Sequence, residues 1–154
     1  MKRIFLILAI LLVIHTVYAD ITVLQPEKVR NHSFAIVIDE KSYNEAESAV
    51  MAYRDAVEND GLGCYILTIE NATPDEIKTE IIKIYNDEKH FEGIVLIGDV
   101  PVPMIRDAHH LSSAFKMDPE RFSLNRSSIA SDRFYDDFDL KFEFLQQDTS
   151  DATL

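Results

Sequence analysis

With 154 residues, 27 acidic against 15 basic side chains and a formal charge of −12, the chain repels nucleic acid and anionic lipid, and neither is expected as a partner. Its single cysteine, Cys64, excludes an intramolecular disulfide, so stability must come from a hydrophobic core. The 47% of hydrophobic residues is enough to build one.

Met1-Lys2-Arg3 is a short basic start, and Ile4 to Val13 is an unbroken apolar run. Val17-Tyr18-Ala19 precedes Asp20, with slim or small residues at the third and first places before a cut, as signal peptidase requires. The run is short for a bilayer span, which needs about 20 residues. Residues 1–19 are therefore expected to be a signal peptide cleaved near Ala19. The product would be exported to periplasm, cell surface or medium with no membrane span retained. Cleavage there leaves 135 residues, the size of one domain, and moves the charge to −14 by removing Lys2 and Arg3.

Residues 20–33 read as a polar lead-in. The first clear strand is Phe34-Ala35-Ile36-Val37-Ile38, apolar on both faces as in a parallel sheet covered by helices, and closed by Asp39-Glu40. Ser42 and Glu45 have the capping-box spacing that opens a helix. Tyr43, Ala46, Val50, Tyr53 and Val57 follow at steps of three and four and predict its buried stripe. Asn59-Asp60-Gly61 predicts its end. Cys64 to Ile69 is a second strand. Thr73-Pro74-Asp75-Glu76 is a second capping box with proline at the first helical position. Ile77, Ile81, Ile84 and Tyr85 are the expected buried stripe of that helix, and Ile94 to Ile97 is the third strand.

Strand, helix, strand, helix, strand with short connections predicts an α/β fold with right-handed crossovers and a parallel sheet flanked by helices. Beyond Pro101 the pattern weakens. Met104 to Phe115 reads as partly helical, Lys116 to Ser131 as loop, and Leu140 to Leu145 as a strand by its alternation. Three strands make a thin sheet against a usual five or six, so residues 34–154 read as an incomplete domain.

Ligands of open parallel sheets bind outside the carboxyl ends of the strands. Asp39 and Asp99 both fall at such ends. Pro101 and Pro103 stiffen the loop after Asp99, which goes on to Arg106, Asp107, His109 and His110. The plainer reading is that each acid solvates the exit of a buried strand. Adjacent His109 and His110 diverge and are poor metal partners. The turn after the first strand, Asp39-Glu40-Lys41-Ser42, has no glycine, which argues against a dinucleotide site. Asp132, Asp136, Asp137, Asp139 and Glu143 are dense enough to raise calcium, with Asp136, Asp137 and Asp139 as its candidate ligands. The absence of a turn glycine after Gly98 favours a solvated acidic edge instead, and no cofactor is expected. Phe115, Phe122, Phe134, Tyr135, Phe138, Phe142 and Phe144 gather in the last third, either as core of a continuing sheet or as a partner surface.

The order of three stretches, "AYRDAVENDGLGCYILTIENATPDEIKTEI", "GIVLIGDVPVP" and "SDRFYDDFD", resembles that of the gingipain-type cysteine peptidases. The resemblance covers Phe34 to Phe144 and implies the beginning of a caspase-like three-layer sandwich. It implies that the Ser131–Asp139 segment lies near the active-site face, making Asp99, His110, Asp132 and Tyr135 candidate pocket-wall residues. It also implies a catalytic histidine followed by glycine and a cysteine, both further along. None of the five histidines here is followed by glycine, and Cys64 sits at the start of a buried strand, where a thiol is ordinary packing. No position inherits the pair. The expectation is an exported N-terminal part of such a peptidase domain, inactive alone, meeting a peptide or protein substrate only with the rest of the domain present. The alternative is a small exported α/β binding module acting through its aromatic- and acid-rich C-terminal third.

Overall fold

The architecture follows from one alternation. Along the central strand, even-numbered apolar residues face one helix and odd-numbered ones face another. The computed structural model describes residues 20–88, 90–106 and 128–145. Its elements are β1 (Asp20–Leu24), β2 (His32–Asp39), α1 (Glu40–Asn59), β3 (Leu62–Glu70), α2 (Pro74–Asp87), β4 (Phe91–Ile97), β5 (Met104–Arg106), β6 (Ser128–Ala130) and a single-turn helix α3 (Arg133–Asp136).

A four-stranded sheet has the order β1-β3-β2-β4. β2 pairs in parallel with β3, Phe34 opposite Cys64 and Asp39 opposite Ile69. It pairs in parallel with β4 on its other side, Phe34 opposite Gly93 and Ile38 opposite Ile97. β5 and β6 form a separate antiparallel ribbon. Ile36, Ile38, Cys64 and Ile66 pack with Val50 and Val57 of α1. Ala35, Val37, Tyr65, Leu67 and Ile69 pack with Ile77, Ile81 and Ile84 of α2. The helices thus cover opposite faces, giving three layers. Residues 35–38 of β2 are wholly enclosed. Ile36, Val37 and Ile38 among them each contribute about 1.5–3 kcal/mol by leaving water. Strand addition turns back at β2, with β3 on one side and β4 on the other. The crevice favoured by ligands in open sheets then falls between the carboxyl ends of β2 and β4.

Several expectations are corrected. The lead-in contains β1, an antiparallel edge strand with Asp20 opposite Glu70 and Leu24 opposite Ile66. The sheet is therefore mixed. α1 is capped by Asp39, not Ser42: the Asp39 side chain accepts the Ser42 N–H at 2.9 Å, and the helix starts at Glu40. Ala46 departs from helical geometry, and both Ala46 and Tyr53 are exposed. Arg54 and Glu58 are buried in their place.

Burying those two charges requires partners. The lead-in supplies them: the Glu27 N–H donates to Glu58 Oε1 at 2.9 Å, and Arg54 donates to Glu27 Oε1 at 2.5 Å. Arg30 reaches the Glu58 carbonyl at 3.3 Å and Lys28 reaches Asn59 at 2.7 Å. α1 ends as expected, with Gly61 at φ +102.

The α2 capping box forms between Thr73 and Glu76 in both directions, but Tyr85 is exposed rather than buried. Met104–Arg106 is a strand where a helix was expected, and Ser128–Ala130 is a strand where a loop was expected. Leu140–Leu145 has no regular structure: Phe142 leans on the core while Phe144 is exposed. Residues 1–19, His109, His110, Phe115 and Phe122 lie outside the described residues.

Candidate functional site at the carboxyl edge of the sheet

Asp39 is both the last residue of β2 and the cap of α1, with no loop between them. Its Oδ1 accepts the Ser42 N–H, and its Oδ2 accepts the Asp99 N–H at 2.8 Å. One carboxylate therefore ties together the helix start and the end of β4. Partial burial pushes this carboxyl up. The hydrogen bonds from the Ser42 side chain and backbone and from the Asp99 backbone outweigh burial and hold it below its ordinary value. Gly98 is what permits the approach. It sits at φ +77, and a Cβ there would lie 1.9 Å from Asp39 Oδ2 and 2.4 Å from Ser42 Oγ. The abrupt end of β4 in Gly-Asp thus has a structural cause. The Asp99 side chain remains exposed at the crevice.

The Ser131–Asp139 segment is brought to the same edge. Tyr135 is fully enclosed, and its hydroxyl donates to the Pro101 carbonyl at 2.5 Å. Burial, with the charge of Asp75 behind it, pushes this phenol far up, so it stays a neutral donor. Tyr135 is therefore a buttress beneath the Asp99–Pro103 loop. Asp132 stands exposed at the start of α3, its carbonyl accepting the Tyr135 N–H at 2.8 Å. Asp99, Asp132 and Tyr135 belong to elements joined by this contact, and His110 lies outside the described residues.

The acidic cluster carries its own cation. Arg133 pairs with Asp136 at 3.0 Å and with Asp137 at 3.6 Å, and Asp137 also accepts the Leu140 N–H at 3.1 Å. Asp139 is exposed. Among the described residues no group of three or more His, Cys, Asp or Glu is placed to hold a metal ion.

The C-terminal segment is fastened to α2 by Lys78. Its ammonium lies 4.5 Å from the ring centroids of both Phe134 and Phe142 and donates to the Asp137 carbonyl at 2.9 Å. Burial lowers its pKa, with Asp137, Asp75 and Asp136 opposing in part. Sequence reading missed Lys78, which looks like an exposed-face lysine until the aromatics meet it.

Cys64 is free, buried, and donates weakly to the Tyr65 carbonyl at 3.8 Å. Burial and the nearby Glu58 charge push the thiol up to about 11 against a smaller opposing effect of Arg54. That environment makes a thiol inert. His32 and His90 stack at 4.8 Å at the opposite end of the sheet, where His32 also hydrogen-bonds Glu92. His32 lies seven residues from Asp39, roughly 23 Å along an extended strand. No described histidine therefore stands at the carboxyl edge.

Comparison with protein-family models, curated proteins and solved structures finds no match. No helix among the described residues is long and apolar enough to cross a membrane.

Proposed function

We infer that this chain is the N-terminal part of a gingipain-like cysteine peptidase domain, directed to export by residues 1–19 and without peptidase activity by itself. The observation that supports this best is the Tyr135–Pro101 hydrogen bond. It sets the Ser-Asp…Tyr segment against the loop that follows Gly98-Asp99, at the edge where open sheets place their sites. Two of the three stretches that carry the resemblance are thereby neighbours in space, not only in order.

In this reading Asp99 and the Ser131–Asp139 turn form one wall of a peptide-binding cleft, with Tyr135 holding that wall from beneath. The rest of the domain would supply an imidazole and a thiolate. The thiolate adds to the scissile carbonyl, the imidazole passes a proton to the departing amine, and water then releases the acyl group. Cys64 is not that thiolate. Its burial and raised pKa leave no nucleophile at neutral pH.

The test is the intact mass of the protein in its native host, detected with an antibody to Phe34–Asp99, alongside peptidase assays of the isolated chain. A species well above the 135-residue product, with thiol-dependent activity absent from the isolated chain, supports the reading. Peptide turnover by the isolated chain that Cys64→Ala abolishes would overturn it. A second reading, a small binding module, is favoured by Phe144 and Leu145, which are 75% and 61% exposed. The other described aromatics of this third, Phe134, Tyr135, Phe138 and Phe142, belong to the core or lean on it.

A further inference from the structure

β1 and the lead-in cover far more than they bury. From Asp20 to Asn31 every side chain is exposed or half-buried, and Val29 is 96% exposed. Against this segment lie the Arg54 guanidinium, the Glu58 carboxylate and the Cys64 thiol, which are 6%, 1% and 0% exposed. Leu24 packs on the apolar cluster that contains Cys64. The chain then crosses β3 beside that residue: a Cβ on Gly63 would lie 3.4 Å from both the Lys28 carbonyl oxygen and Pro26 Cγ. The charges of Glu58 and Arg54 both act on the thiol, which places all three groups under one cover.

That cover is held by polar contacts. Glu27 acts twice, giving its N–H to Glu58 Oε1 at 2.9 Å and accepting from Arg54 with its carboxylate. Its side chain is 63% exposed, so water already reaches one side of the contact. The closed arrangement also leaves Arg54 incompletely paired. Its Nε meets no acceptor among the described residues, and Asp55, its other carboxylate, stands at 3.5 Å. A buried guanidinium with an idle N–H gains hydrogen bonds when uncovered, so water competes with Glu27. The layers beneath are held differently, by wholly enclosed Ile36, Ile38, Ile66, Leu67, Ile77 and Ile81. Segments with few enclosed apolar side chains and solvent-facing hydrogen bonds are the ones that open first.

We propose that Asp20–Asn31 is a strap that opens and closes as one unit while β2, β3, β4 and both long helices stay folded, with Glu27 as its latch. Closed, it roofs Arg54, Glu58 and Cys64. Open, it frees the β3 edge from Ile66 to Glu70 and admits solvent to the thiol. The strap is therefore a gate, and Cys64 reports its position. It lies on the side of β3 away from β2 and β4, so it is independent of the peptidase reading.

The test follows alkylation of Cys64 by iodoacetamide in the protein as its host processes it, read at the Cys64 peptide by mass spectrometry, together with amide exchange. Alkylation of the folded protein should proceed at a rate that low urea barely changes, because strap opening exposes little surface. The Glu27 and β1 amides should exchange in step with it while β2 amides stay protected. Glu27→Ala keeps the N–H that serves Glu58 but removes the partner of Arg54, and should speed alkylation roughly tenfold. Val29→Ala, at an exposed position of the same segment, should leave the rate unchanged. Alkylation that rises with urea as steeply as unfolding of the whole protein, in step with β2 exchange, overturns the proposal, because Cys64 would then be reached only by global unfolding. An unchanged rate in Glu27→Ala, or an equal gain from Val29→Ala, also overturns it by removing the latch.

Discussion

Asp39 and Asp99, sixty residues apart in the chain, are joined by a 2.8 Å hydrogen bond from the Asp99 N–H to Asp39 Oδ2, and the same carboxylate caps α1. Two acids that look like a matched pair of site residues therefore have unequal roles. Asp39 is spent on holding the edge together, and only the Asp99 side chain is left to face a ligand.

Gly98 and Asp39 should be energetically coupled. Asp39→Ala removes a cap and a charge-assisted bond and is expected to cost about 2 kcal/mol. Gly98→Ala adds left-handed strain of about 1–2 kcal/mol and drives a methyl group into Asp39 Oδ2. In the double variant part of that clash is gone, so the sum of the single losses should exceed the combined loss. Urea midpoints of the four proteins measure the coupling. Simple additivity would mean that the close approach is relieved at no cost.

Lys78→Met keeps the aliphatic stem but removes the ammonium that sits against Phe134 and Phe142. The segment from Ser131 to Phe142 should loosen by about 1–2 kcal/mol while the sheet stays intact. Amide exchange reads this as roughly tenfold faster exchange around Tyr135, with β2 unchanged. Equal exchange in both proteins would show that apolar packing alone fastens the segment.

Stability should fall on the alkaline side in two overlapping steps. Burial, with the Glu58 charge, raises the Cys64 thiol from 9.0 to about 11. Burial and the Glu88 carboxylate, which accepts from the phenol at 2.5 Å, raise Tyr65 from 10.0 to about 12. Both folded values exceed the unfolded ones, so the unfolded chain releases protons first. The stabilisation is complete below pH 9 and is lost as pH rises through 9–11 for the thiol and 10–12 for the phenol. Urea midpoints at unit pH steps from 8 to 12 should show the decline, and Cys64→Ala should flatten its first part. A flat profile to pH 11 would mean that the two groups are wetter than their burial indicates.

Where burial and local chemistry agreed, the fold was legible in the chain. β2 and β3 are apolar on both faces because both are interior, and α2 carries its capping box, its proline and its stripe within a dozen residues. What escaped depends on distant partners. β1 is short and half-polar and becomes a strand only because β3 accepts it. Arg54 and Glu58 read as solvent-facing charges, and they are buried because Glu27, about thirty residues earlier, pairs the Arg54 guanidinium and gives its N–H to the Glu58 carboxylate, while Arg30 takes the Glu58 backbone carbonyl. Ser42 and Glu45 fit a cap template, yet β2 runs straight into α1 and Asp39 takes the position first. At the candidate site, Asp99 could be placed from the strand pattern alone. The buttressing of its loop by Tyr135 could not, since nothing local in either stretch shows that the hydroxyl meets the Pro101 carbonyl.

The antiparallel pairing of β1 with β3 sets an order on how the chain assembles. Asp20 waits for Glu70, and Leu24 waits for Ile66. During synthesis the first strand to leave the ribosome is thus among the last to be seated. β2, α1 and β3 can close on one another as local neighbours, and only then does an edge exist for β1 to join. The lead-in that pairs Arg54 and Glu58 arrives with it. Until that moment Glu58 lacks the Glu27 N–H and Arg54 keeps only Asp55, at 3.5 Å, so the helix gains its full hold on the sheet only when the lead-in returns to it.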